Sequence, residues 1–398
     1  ASLGAAYARL KGKQRLRRQN EALRSENERG LRYVLAKLGT YYFGWIYNDL
    51  RFGRKKSIHL GKLDLTDRAA IYLIFPDKGL LASHLDSLRY LKHKGYTPIV
   101  VSNHPLTRAE RLRLGEYAHL VIVRHNFGYD FGGYRDAVLA LADKLSGLKY
   151  LAILNDSSWF PVTPEADWLG DAEAKGLDYV GAASHFAFPM TAPEEFRSVD
   201  WTYSHKHPFF HYTSFALLIG AEILKREDFL NFWKFFPMSN IKRLVIRRGE
   251  AGLTQWVIRK GFTHGETADL AGLAKEIRAM KPSDLREVLA CMPINFGEDF
   301  LKETSRNLCA DPNACPEDMA NLILTSVQRQ GVSYALGRVL IERFGFSFLK
   351  KSPLWLSADS SRQMLEFVDT LEGEIGAHIR SEAVASAQLA PEAEAALP

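Results

Sequence analysis

Residues 69–103 read AAIYLIFPDKGLLASHLDSLRYLKHKGYTPIVVSN, and this stretch decides the fold. AAIYLIF (69–75) is an apolar run too short for a helix and too continuous for a strand with one wet face. It reads as a strand buried on both sides. LLASHLDSLRYLKHKG (80–95) repeats its apolar residues at helical spacing and ends on Gly95, a natural stop. TPIVVSN (97–103) is a second apolar run. A strand, a helix and a strand in this order form a βαβ unit, in which the helix carries the chain back so that the strands pair in parallel.

The pattern repeats outward. LTRAERLRLGEY is a second helix, HLVIVRH (119–125) a third strand and DAVLALADKL a third helix. LKYLAILND (148–156), DYVGAAS (178–184) and SFALLIG (214–220) are the fourth, fifth and sixth strands. The expected class is α/β, with a Rossmann-type, mostly parallel sheet and flanking helices. Residues 221–263 read as mainly helical. Residues 270–350 read as mostly helical and polar, with a loop at DPNACPED. The expected organisation is a basic, helical, aromatic-rich N-terminal extension over 1–60 and a catalytic domain over 61–265. A mainly helical C-terminal region follows over 266–380. The Ala-, Glu- and Pro-rich tail over 381–398 shows no packable pattern and is expected to be disordered.

In 398 residues, 46% hydrophobic and 25% charged content is that of a globular chain with a sizeable core. A net charge of +6 is mild over this length, but its distribution is uneven. Residues 9–29 hold eight Lys or Arg against three Glu, and Arg51, Arg54, Lys55 and Lys56 follow. Such clusters favour an anionic surface. Because they sit at one end, with no base-stacking motif, nucleic acid is not expected as a partner. Between them lies LRYVLAKLGTYYFGWIYNDLRF (31–52). It either packs on the catalytic domain or lies at a membrane interface with its rings at headgroup depth. The three cysteines, Cys291, Cys309 and Cys315, make no disulfide framework and no zinc pattern, and read as reduced thiols of a cytosolic protein. The first thirty residues lack the apolar core of a signal peptide, and no apolar run approaches the roughly 20 residues of a spanning helix. The expected location is cytoplasmic, with peripheral contact at the cytoplasmic face of the inner membrane.

Ligands of open parallel sheets bind beyond the carboxyl ends of the strands, which selects three regions. The first is HNFGYDFGGYRD (125–136). Asn126 and Asp130 suit a base or ribose, Gly128 and Gly132 allow close backbone approach, and Arg135 suits a diphosphate. The plainer alternative is a Gly-rich turn whose Asp caps a helix. The second is LNDSSWFPV (154–162), where Asn155 and Asp156 end an apolar strand. Asp156 can hold Mg²⁺ or Mn²⁺, or the residues can form an Asx turn that closes the strand. The third joins HYTSFALLIG (211–220) to RRGEAGLTQWVIRKGF (247–262). Glu250 can act there as general base, or simply favour a helix N-terminus. His211 and Ser214 are placed on the acceptor side. The aromatic and His-rich segment 185–211 suits stacking on sugar rings or a core lid. His205 and His207 have metal-like spacing, but nothing nearby completes a zinc site.

Together these regions resemble the rhamnan synthesis protein F family, polysaccharide glycosyltransferases with a GT-A-like fold. The resemblance is carried by LIFPDKGLLASHLDSLRYLKHKGYTPIVVSN, NFGYDFGGYRDAV and LAILNDSSWFPV. HYTSFALLI, FLNFW and GEAGLTQWVIRKGF follow in family order, and then YALGRVLIERFGFSFLKKSPL. It covers roughly residues 68–350. It implies transfer from a nucleotide diphosphate sugar, dTDP-rhamnose or similar, onto a growing surface polysaccharide or lipid-linked glycan, with inversion. Asn126, Asp130 and Gly132 would line the donor. Asp156 would stand where related enzymes place a metal-binding Asp-x-Asp, although here Asn-Asp-Ser keeps one carboxylate. Glu250 would match the acidic residue before the closing helix. The alternative is a non-catalytic glycosyltransferase-like subunit that scaffolds a polysaccharide-assembly complex.

Overall fold

A computed structural model describes residues 30–294 and 297–387 of the protein. The strands in chain order are β1 (Ser57–Leu60), β2 (Arg68–Ile74), β3 (Thr97–Ser102), β4 (Leu120–Val123), β5 (Tyr150–Asn155), β6 (Ser158–Trp159), β7 (Tyr179–Gly181), β8 (Ser184–His185), β9 (His211–Tyr212), β10 (Ala216–Gly220), β11 (His264–Glu266) and β12 (Leu349–Lys350). Eight of them form one sheet in the order β1-β4-β3-β2-β5-β10-β7-β11. β2, β3, β4 and β5 pair in parallel, as the βαβ reading requires. The sheet is mixed, however, because β10 runs antiparallel to both β5 and β7, and β1 antiparallel to β4. The edge strands β1 and β11 were not expected. Both are short and lack a continuous apolar run, so periodicity carries no signal for them.

The apolar strands alternate between two cores. Ala70, Tyr72, Ile74, Val100, Ala152 and Leu154 face one side, and Ala69, Ile71, Leu73, Ile99, Val101, Leu151 and Ile153 the other. Helix α1 (30–52) precedes the sheet. The first side takes α2 (Ala82–His93) and the C-terminal helices. These helices are less polar than expected. Pro316–Gln330 buries Met319, Leu322, Ile323, Leu324 and Val327, so the region 270–350 completes the core. The tail expectation is corrected in part. Helix Gly373–Ala387 continues through Arg380 and Ser381. Its Glu382 accepts hydrogen bonds from Ser83 and from the Trp159 indole, and Ala383 is fully buried. Residues 1–29 and 388–398, on which the basic-segment and remaining tail expectations fall, lie outside the described residues.

The largest local difference concerns 125–136. After α3 (Arg108–Gly115) and β4, helix α4 spans Tyr129–Ala140, so it starts well before the expected Asp136. Gly132 and Gly133 lie inside it at an intrinsic cost of about 1 kcal/mol each. Packing explains them. A Cβ at Gly132 would stand 2.2 Å from the Phe127 carbonyl oxygen, and one at Gly133 2.1 Å from the Leu73 side chain.

Candidate functional site

Six chain segments meet beyond the carboxyl end of β5. The first is the strand end itself. Ser157 donates its backbone N–H and its hydroxyl to Asn155 Oδ1, at 3.1 and 2.6 Å, which is the Asx turn that ends the strand. The same Asn155 donates from Nδ2 to Asp130 Oδ2 at 3.1 Å and to the Tyr134 hydroxyl at 2.8 Å. Its polar atoms are thus committed to protein partners. Tyr134 donates in turn to the Ser214 carbonyl. One chain of hydrogen bonds therefore ties the first turn of α4 to β5 and to the β9–β10 link.

Asp156 Oδ2 accepts from the Phe75 amide at 2.8 Å and from His84 Nε2 at 3.2 Å. His84 is fully buried, and its Nδ1 accepts from the Leu81 amide, so Nε2 is the nitrogen that donates to Asp156. Burial would raise the Asp156 carboxyl, but the His84 bond, the Lys351 charge and the Phe75 amide together hold it below the ordinary range. Asp156 Oδ1 has no hydrogen bond among the described residues, and the side chain is 17% exposed.

Glu250 rides on a π-helical turn, Arg247–Ala251, a form often found at functional sites. The turn abuts α4 because Gly249 lies against the Phe131 ring; a Cβ there would be 2.5 Å from it. Ser214 donates its hydroxyl to Glu250 Oε1 at 2.5 Å, and His211 Nε2 lies 3.4 Å from Oε2. His211 Nδ1 faces the Phe209 carbonyl at 2.7 Å and must donate to it. Nε2 is the nitrogen left facing Glu250.

Asp130, in the first turn of α4, is pushed up to about 6 by burial, and then by the charges of Glu250 and Asp156. The sixth segment is β12, which pairs with β6 and brings in Lys350 from nearly 200 residues away in sequence. Its ammonium donates to Ser157 Oγ at 3.0 Å and lies 3.9 Å from the centre of the Phe215 ring. Burial lowers it to about 8 against the opposing pull of Glu250 and Asp130.

Of the residues singled out from sequence, Asp130, Asn155, Asp156, His211, Ser214 and Glu250 come together. Arg135 does not join them. It is buried on the far side of α4, forming a bidentate pair with Asp49 of α1 at 2.8 Å and donating to the carbonyls of Trp233 and Lys234. A guanidinium so engaged is not free for a diphosphate. Gly128 and Gly132 admit protein atoms, Met238 and the Phe127 carbonyl, and the Gly132 amide is bonded to the Gly128 carbonyl. Asn126 is exposed ahead of α4. The aromatic segment is divided in role. Trp201 stacks on Phe188 at 3.9 Å and donates to the Leu270 carbonyl, and Phe210 is buried. Phe186 stacks on His207, and Phe209 is exposed.

His84, Tyr134, Lys350 and Lys351 were not singled out. For Lys350 the only signal was the FLKK run at the end of the resembling segment; its partners are set by a two-residue strand pairing that no local pattern reveals. As for a metal, no three His, Cys, Asp or Glu side chains among the described residues are grouped to hold one. Asp156 offers a single unbonded oxygen, with the cations Lys350 and Lys351 nearby. One carboxylate oxygen holds a divalent ion only where the phosphates of a bound donor complete its shell.

The family model for rhamnan synthesis protein F matches residues 98–283, which shows the resemblance over that segment. A protein of Sinorhizobium fredii, described as uncharacterized protein y4gN, is 33% identical over 271 residues; the match covers 66% of this chain and 65% of that protein. The chain thus spans slightly less than two thirds of that relative. Solved structures with some likeness include the mannosyltransferase PcManGT from Pyrobaculum calidifontis in complex with GDP-Man and Mn²⁺, at 11% identity and a TM-score of 0.31, covering 91% of this chain and 97% of that one. The mannosyltransferase Ktr4p from S. cerevisiae shows 11% identity and a TM-score of 0.26, over 49% of this chain and 66% of that one. Scores this low carry no argument about ligand or reaction.

Proposed function

We propose that the chain is a glycosyltransferase that moves a sugar, rhamnose or a related one, from a nucleotide diphosphate sugar to a hydroxyl of a growing surface or lipid-linked glycan, with inversion. The observation that carries this reading is the convergence of Asp130, Asp156, Glu250 and Lys350 at the ligand edge of the sheet, in a chain matching a polysaccharide-synthesis family. Glu250 takes the acceptor's proton as general base. Ser214 fixes one carboxylate oxygen, and His211 shares the proton that arrives. The acceptor oxygen bonds to the anomeric carbon, and the bond to the diphosphate breaks with its electron pair on the phosphate oxygen. Asp156 Oδ1 accepts from a donor hydroxyl. Purified protein incubated with a panel of nucleotide sugars tests the reading. Neither transfer, nor donor hydrolysis, nor binding with any of them would sink it.

The acceptor's lipid end accounts for α1. Leu31, Leu35, Leu38, Tyr42, Phe43 and Leu50 are all exposed on it, with Arg51 in its last turn and Lys55 beyond. An apolar helix face flanked by basic residues suits a shallow position in an anionic membrane, here the cytoplasmic face of the inner membrane. Co-sedimentation with phosphatidylglycerol vesicles, lost on Leu35→Glu with Phe43→Glu, is the expected result. Equal sedimentation of wild type and variant would count against it.

A further inference from the structure

Three Lys or Arg side chains are buried among the described residues: Arg124, Arg135 and Lys350. Arg124 meets Asp136 at 2.7 Å, and Arg135 meets Asp49 at 2.8 Å. Lys350 has no carboxylate at ion-pair distance among the described residues. Its ammonium has three N–H donors and a single hydrogen bond, to Ser157 Oγ. The rings of Phe215 and Tyr334 lie beside it, at 3.9 and 5.6 Å. They attract a cation but accept none of its remaining N–H groups as an anion would. A buried ammonium with no anion beside it is costly to desolvate. Here β12, paired to β6, holds it in that state beside the turn that ends β5.

Its place explains the arrangement. Asp130, Asp156 and Glu250 give this edge of the sheet a negative field that would repel an anionic ligand. Lys350, a buried cation that interacts with Glu250 and Asp130, can offset it.

We infer that the Lys350 ammonium is the resident counter-cation for the donor's diphosphate, in the role a divalent metal would otherwise fill. This rests on the glycosyltransferase reading above. As the acceptor's proton passes to Glu250 and the acceptor oxygen bonds to the anomeric carbon, the departing diphosphate oxygen gains the electron pair of the broken bond. Lys350 keeps its proton and donates hydrogen bonds to that oxygen or its neighbour, where the stabilisation grows with the developing charge.

The test is titration calorimetry in the presence of EDTA with dTDP, UDP and GDP and their nucleoside monophosphates, on wild type, Lys350→Met, Lys350→Gln and Lys350→Arg. Wild type is expected to bind one diphosphate with the chelator present. Lys350→Met should weaken that diphosphate at least about tenfold, the loss of one charge-assisted contact, and weaken the monophosphate much less. Lys350→Arg should recover part of the difference. Unfolding midpoints of the Met and Gln variants should match or exceed wild type, because a buried charge is removed.

Diphosphate binding that is unchanged in Lys350→Met overturns the inference. So does wild-type binding that vanishes with EDTA and returns with Mn²⁺ whatever stands at position 350. Loss of cooperative unfolding in both the Met and Gln variants would assign Lys350 to the core and overturn it as well. Wild type that binds no diphosphate of the panel also overturns the inference; where it in addition neither transfers, hydrolyses nor binds any nucleotide sugar, the glycosyltransferase reading fails with it.

Discussion

Replacing Gly249 with Ala adds one methyl group on the turn that carries Glu250. The new Cβ would lie 2.5 Å from two carbons of the Phe131 ring and 2.7 Å from a third, well inside contact distance. Phe131 has little room to retreat. It is 2% exposed, stacked on Trp233 at 5.7 Å between centroids and on Phe236 at 5.5 Å. The backbone of Arg247–Ala251 must therefore give way, and a π-helical turn is the weaker of the two partners. Overpacking of this kind costs about 1–3 kcal/mol. The catalytic cost should be larger in proportion. A displacement of about 1 Å breaks the 2.5 Å Ser214 bond to Glu250 and widens the 3.4 Å gap to His211, and misplacement on that scale lowers rates on the order of 100-fold. Urea unfolding gives the stability change, and donor turnover under saturating sugar nucleotide gives the rate. Phe131→Leu in the same chain should restore space, so the double variant should be more stable than the two single changes sum to, by about 1 kcal/mol. A Gly249→Ala protein with wild-type stability and wild-type turnover would refute the reasoning, and so would strict additivity with Phe131→Leu.

Further outcomes are expected elsewhere. Glu250→Gln should lower transfer by about 10²–10⁴ while diphosphate affinity, read by calorimetry, is kept or strengthened. Glu266 is pushed up to about 8, chiefly by burial, and its Oε2 is buried without a partner. Because its folded value lies above the ordinary 4.5, the folded state binds the proton more tightly. The contribution to stability is present below about 4.5 and is lost as pH rises towards 8, and Glu266→Gln should flatten the urea midpoint across that window. Arg135→Met leaves Asp49 and two carbonyls without their donor; a loss of about 3 kcal/mol and early proteolytic cleavage near α1 should follow. Truncation after Arg380 removes the Glu382 bonds to Ser83 and Trp159 and should lower the unfolding midpoint, measured by circular dichroism.

The central βαβ units were legible in residues 69–103 and 148–156, because strands buried on both faces are continuous apolar runs and the helices between them keep a helical period. The position of Asp156 at the ligand edge followed from the same pattern, since a parallel strand that ends in polar residues ends at that edge. Glu250 was legible as a carboxylate near a helix start. What local pattern could not supply was direction and distance. Whether β10 runs with or against β5 depends on the path of the chain between residues 181 and 216, a property of the whole connection. The Gly-rich segment looked like a loop because glycine disfavours helices; only contact with Leu73 and Phe127 makes glycine the fitting residue inside α4. Arg135 looked like a ligand for phosphate until α1, more than 80 residues earlier, supplied Asp49. Lys350 entered the site through a two-residue strand pairing. Side-chain type and period are written locally and so determine the strands, the helices and the edge where chemistry can occur. Which charges face one another across that edge depends on contacts between segments far apart in the chain, and these exist only once the tertiary structure has formed.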